Sequence, residues 1–137
     1  MKKIRPKIGD VFQITLPNSK YAYGRVYKDA SIGIYKYLSD EPNSPPIGSR
    51  DFLFIVGMYN DLLKTGELPI IGQDKFTSEE SAWPPPTFIK DPISGAYSIY
   101  YQGLIRDAKV GEWIALECAA VWDLNHIIER ILHEMTS

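Results

Sequence analysis

Gly9-Asp10-Val11-Phe12-Gln13-Ile14-Thr15-Leu16 is the stretch that decides the fold class. Phe12, Ile14 and Leu16 alternate with Val11, Gln13 and Thr15, which is the period of a half-buried strand. Pro17-Asn18-Ser19-Lys20 supplies a turn. Tyr21 to Tyr27 then returns as a second strand, with Tyr21, Tyr23, Arg25 and Tyr27 on one face and Ala22, Gly24 and Val26 on the other. The two form a hairpin, so the chain begins as a sheet. Ile32 to Leu38 reads as a third strand. Asp40-Glu41-Pro42-Asn43-Ser44-Pro45-Pro46 carries too much proline to continue a ladder and is a loop.

Further along, Asp51 to Met58 is an almost continuous apolar run, the pattern of a strand covered on both faces, and is expected in the middle of the sheet. Asn60 to Gly66 has a capping residue at its start and glycine at its end, the signals of a short helical turn. Leu68-Pro69-Ile70-Ile71-Gly72 leads into the polar segment Gln73 to Ser81, closed by Trp83-Pro84-Pro85-Pro86, whose prolines favour extended geometry. Thr87 to Lys90 and Tyr97 to Tyr101 flank a turn-rich loop and predict another hairpin. The composition of Ile114 to Trp122 fits strand or helix; strand is preferred, because the segment ends at Asp123, a helix N-cap. Beyond that cap Leu124, Ile127, Ile128, Ile131, Leu132 and Met135 form one helical stripe. The expected architecture is α+β: a strand-rich, partly curled antiparallel sheet, with an SH3-like barrel core as one form of it, closed by a C-terminal amphipathic helix. Residues 1–137 show no internal repeat and read as a single domain.

Hydrophobic residues at 45% and charged residues at 23% place the chain among folded domains and away from intrinsic disorder. Nine Tyr, five Phe and three Trp favour strands and also provide contact surface. With a formal charge of −2 there is no positive field to hold a phosphate backbone, so nucleic acid is not expected as a partner. Met1 to Lys7 is basic like the start of a secretion signal, but Gly9-Asp10 and Gln13 interrupt the apolar core such a signal needs. No run approaches the ~18 apolar residues of a membrane span. One cysteine, Cys118, excludes an internal disulfide and fits a reducing cytoplasm.

Constellations that carry chemistry are sparse. His126 and His133 stand two helical turns apart, roughly 10 Å, too far to share a metal ion directly, and are read as surface histidines. Cys118 with a histidine would be a minimal thiol nucleophile, but Leu116, Ala119, Ala120 and Val121 suggest a small buried hydrophobe. No catalytic motif, cofactor fingerprint or metal-ligand spacing occurs, so neither catalysis nor a cofactor is expected. The acidic pairs Asp40-Glu41 and Glu79-Glu80 lie in polar loops, where they suit recognition of a basic partner better than acid–base work. Arg25 on its tyrosine face is either a contact residue or a structural arginine paired with a carboxylate across the sheet. Trp83 is either an anchor for a partner or a plug pinning its loop to the core. Trp113 and Trp122 read as core.

Gly9-Asp10-Val11-Phe12, Tyr21-Ala22-Tyr23-Gly24-Arg25-Val26, Leu68-Pro69-Ile70-Ile71-Gly72 and Glu117-Cys118-Ala119-Ala120-Val121-Trp122-Asp123 together resemble the immunity protein 26 family, in order along nearly the whole chain. Leu68 stands where the family pattern has tryptophan. The resemblance implies an antidote that binds a cognate protein toxin of a bacterial polymorphic toxin system, without catalysis. Two other readings stay open: an endoribonuclease of the MazF kind, suggested by the opening Gly-Asp-Val-Phe hairpin and opposed by the charge balance, and a metabolic or structural binding module. For a toxin-binding surface the sequence offers Glu79, Glu80 and Trp83 on the proline-stiffened loop and Tyr21, Tyr23, Arg25 and Tyr27 on the strand face, with the loop favoured for specificity. Oligomeric state is open.

Overall fold

The computed structural model describes residues 5–59 and 61–136. The opening hairpin is present as β1 (Asp10–Thr15) and β2 (Tyr21–Val26), and β3 (Ser31–Ser39) and β4 (Phe52–Met58) extend it. A short helix α1 (Asp61–Thr65) ends at Gly66, whose φ is +85°. The expected cap at Asn60 lies outside the described residues. Next come β5 (Ile70–Gln73), a single 3-10 turn at Glu80–Ala82, and the hairpin of β6 (Thr87–Lys90) and β7 (Tyr97–Tyr101). The strands β8 (Leu104–Asp107), β9 (Glu117–Cys118) and β10 (Val121–Trp122) precede the helix α2 (Leu124–Thr136). Among the described residues no helix is long and apolar enough to cross a membrane.

The strands form two sheets, one of six in the order β10-β4-β3-β2-β1-β5 and one of four in the order β8-β7-β6-β9. The α+β class stands, while the first sheet stays open at both ends and does not close into a barrel. Neighbours are antiparallel except β10 beside β4 and β6 beside β9. β4 is not central: only the two-residue β10 separates it from the edge. Ile114 to Trp122 is not one strand either. Its first residues turn, and the rest splits into β9 in one sheet and β10 in the other, so that this stretch stitches the sheets together.

The main core lies on the face carrying Phe12, Ile14, Val26, Ile34 and Phe54, against Ile127 and Ile131 of α2. Asp123 caps that helix, its carboxylate accepting the His126 N–H at 2.9 Å. Arg130 pairs with Glu117 and Glu134 and lies over the Phe54 ring at 4.2 Å, which ties the helix to β4 and to the crossover. Trp122 is half-buried and stacks with Phe54; Trp113 is half-buried and stacks flat on Tyr97 with ring centres 4.0 Å apart. A second, aromatic core on the opposite face holds Val11, Tyr23 and Tyr35. β1 is therefore buried on both faces except at Thr15, where alternation alone predicts one wet face.

Gly24 sets how closely β1 and β2 pack. It faces Phe12 in the ladder, and a Cβ placed there would lie 2.2 Å from the end of the Phe12 ring. Gly24→Ala is expected to cost about 1–3 kcal/mol by overpacking. Ile131→Ala, in the buried stripe of α2, is expected to cost about 2–5 kcal/mol, against under ~0.5 kcal/mol for Glu129→Ala on the exposed face. Urea denaturation of the three variants checks all of these values.

Candidate partner-binding site

The face of Tyr21, Tyr23, Arg25 and Tyr27 is an interior, which corrects the expectation of an exposed aromatic surface. Tyr23 is 0% and Arg25 2% exposed, Tyr27 is buried, and Tyr21 is half-buried. The proline-rich loop covers part of this face: the Asn43 N–H donates to Gln13 Oε1 at 2.6 Å and the Ser44 N–H to the Tyr23 hydroxyl at 3.0 Å. The segment after β5 covers the rest. Arg25 donates from Nε to the Asp74 carbonyl at 2.8 Å and from Nη2 to the Lys75 carbonyl at 3.0 Å, and its guanidinium lies 3.5 Å from the Phe76 ring centre. The structural reading of Arg25 holds, with Asp74 as its carboxylate at 3.7 Å.

Asp74, 4% exposed, gathers this cover. Its carboxylate accepts from the Tyr35 hydroxyl at 2.6 Å, from Arg50 at 3.0 and 3.2 Å and from the Gly48 N–H at 3.2 Å. Burial opposes its charge, but the Tyr35, Arg50 and Gly48 hydrogen bonds and the Arg25 charge outweigh burial and hold the carboxyl below its ordinary range. The same pairing, after burial, pushes the Tyr35 phenol up.

The loop carrying the other three predicted residues is docked but open to solvent. Lys28 follows β2 and holds the loop: its N–H donates to the Ala82 carbonyl at 2.9 Å, its ammonium pairs with Glu79 at 2.6 Å, and it lies 5.0 Å over the Trp83 ring. The Lys28 hydrogen bond lowers the Glu79 carboxyl from its usual range. Glu80 faces the second sheet, accepting from the Tyr101 hydroxyl at 3.3 Å and Gln102 Nε2 at 3.0 Å. Trp83 is half-buried and braced by Lys28, so one ring face serves the fold. The loop thus joins Glu79, Glu80 and Trp83, and leaves them apart from the buried tyrosine face.

Beside this loop a cleft of about 410 Å³ opens between the two sheets. The turn Asp29–Ser31 and the strand segment Ile55–Gly57 wall it on one side, Thr87, Tyr100 and Ile105 on the other, and the crossover residues 118–121 line it between them. The close passage of the crossover depends on Gly57, where a Cβ would lie 2.8 Å from the Ala120 carbonyl oxygen. This cleft explains the apolar run of β4: Phe54, Val56 and Met58 enter the main core, while Ile55 and Gly57 line the cleft. Cys118 is exposed in it, not buried as its apolar neighbours suggest, because β9 leaves the second sheet at that residue.

Sequence reasoning misses the cleft because β8 and the crossover make it. The signal for β8 is the Gln102-Gly103 pair, both with positive φ, as a two-residue hairpin turn requires. β5, formed by Ile70–Gln73 beside β1, is missed as well; Ile70-Ile71 is a short apolar run behind a proline.

A family model described as Immunity protein 26 matches residues 7–99, more than half of the chain, from just before β1 into β7. No curated protein and no solved structure matches it.

Asp74→Asn should cost at least ~3 kcal/mol at neutral pH, since it leaves Arg25 buried with its charge unmatched. The Asp74 carboxyl is depressed in the folded state, so its stabilisation is complete above the ordinary carboxylate range and fades as pH falls through and below about 4. Denaturant midpoints measured between pH 7 and 3 should fall for the unaltered chain more steeply than for Asp74→Asn. Parallel profiles would show that other carboxylates govern acid unfolding.

Proposed function

The chain belongs to the immunity protein 26 family, and from that premise we propose that it neutralises a cognate bacterial protein toxin by binding it, in the cytoplasm and without catalysis. The family match over residues 7–99 carries the reading. Surface chemistry supports it. Ile93, Leu104, Ile105, Val110, Ile114 and Val121 are each more than half exposed, a concentration of large apolar side chains within one segment that a protein with no partner has reason to cover. The docked loop with Glu79, Glu80 and Trp83 adds acids and an aromatic ring at low ordering cost, because its backbone is already held by Lys28.

Mechanistically, an antidote of this kind works by mass action: it holds the toxin in a complex whose dissociation is slow compared with the toxin's chemistry. The toxin-like reading frame beside this chain's gene, expressed with and without the chain, is the direct test. Co-expression should restore growth, and in purified form toxin activity should fall linearly to an end point at one chain per toxin. Inactivation of many toxin molecules by one chain would mean turnover and overturn the binding reading, as would ribonuclease activity of the purified chain that a point substitution abolishes.

A further inference from the structure

Resting on that functional reading, we propose that the inter-sheet cleft is where the toxin docks, and that it receives a cationic side chain with an apolar stem, arginine above all, from a toxin loop. Three features of the cleft point to this occupant.

Polarity comes first. Among the described residues Asp29 is the single charged residue lining the cleft, and Glu80 accepts hydrogen bonds from Tyr101 and Gln102, both of which line it. Among the described residues no lysine or arginine lines it, and Lys28 nearby is engaged by Glu79 and the Trp83 ring. An apolar cleft with an acidic rim attracts a cation and disfavours an anion.

The second feature is acceptor capacity. The Asp29 carboxylate accepts the Tyr100 hydroxyl at 2.6 Å, and an ionised carboxylate offers about four acceptor sites, so a guanidinium entering the cleft would find lone pairs free to meet it there.

Apolar exposure is the third. Ile105 and Val121, 64% and 53% exposed, are cleft residues as well as surface residues, so a partner that fills the cleft also covers them. Arginine, whose long apolar stem carries a planar fork of donors, matches all three features and is among the residues that concentrate binding energy at interfaces.

Cys118 is the chain's single cysteine and lines the cleft, so the unaltered chain reports its own occupancy. The probe is the purified toxin domain encoded beside this chain's gene. Maleimide modification of Cys118 should slow at least 10-fold in the complex. Ile105→Lys should weaken binding at least 100-fold with an unchanged melting midpoint. Asp29→Asn, which keeps a residue able to hold the left-handed backbone of that turn, should slow association several-fold at low salt and little at high salt. A complex that forms with Cys118 fully reactive, or tighter binding by Asp29→Asn, would overturn the docking proposal and leave neutralisation intact. Protection of Cys118 in the chain alone as its concentration rises would assign the cleft to a second copy and also overturn it. A toxin that the unaltered chain neither binds nor neutralises would overturn the functional reading itself, and this proposal with it.

Discussion

A buried carboxylate organises this molecule. Asp74, in the segment after β5, meets Tyr35, Arg25, Arg50 and the Gly48 backbone, groups drawn from β3, β2 and the loop before β4. Taking a carboxylate and an arginine out of water is costly, and such a pair is tolerated only when nearly every donor and acceptor is met. Here the backbone carbonyls of Asp74 and Lys75 serve the guanidinium while the carboxylate is met by three other donors, so the cost is offset through geometry. The network also fixes chain direction: the Asp74 N–H donates to the Gly9 carbonyl at 2.8 Å, locking the exit of β5 to the entry of β1.

That lock positions the rest of the surface. Once residues 74–76 are held over the tyrosine face, the chain continues into the loop that Lys28 grips, and the loop leads through Pro84 and Pro85 along the cleft into the second sheet. The crossover from β9 to β10 then returns to the first sheet past Gly57. The cleft is therefore bounded by elements held by strand pairing, with the loop beside it gripped by Lys28 and the crossover tied to the last helix by the Glu117–Arg130 pair. Walls held this way need little ordering if a partner enters the cleft.

How much of this was legible in the sequence depends on the range of the cause. Strands β1 to β4, the β6–β7 hairpin and the capped α2 follow from local alternation, turn residues and one helical stripe, and appear where those signals place them. Whether the Tyr23 face of β2 meets solvent depends on Asp74, nearly fifty residues away, and a strand bearing Tyr23 and Arg25 looks the same whether it is wet or covered. Cys118 was misjudged for a related reason: its apolar neighbours suit a core, but two-residue strands in different sheets leave it in the cleft between them. The acidic loop was readable as a loop, although its grip by Lys28 was not.

The claim at the centre of this account is that the inter-sheet cleft is the binding surface of an immunity protein. Amide hydrogen exchange of the chain, free and bound to the toxin encoded beside it, tests that most directly. The account predicts that protection on binding concentrates at residues 29–31, 55–57, 87–89 and 118–121, segments that enclose the cleft. Protection confined to α2 and the proline-rich loop of residues 40–50, with the cleft segments exchanging as in the free chain, would contradict it.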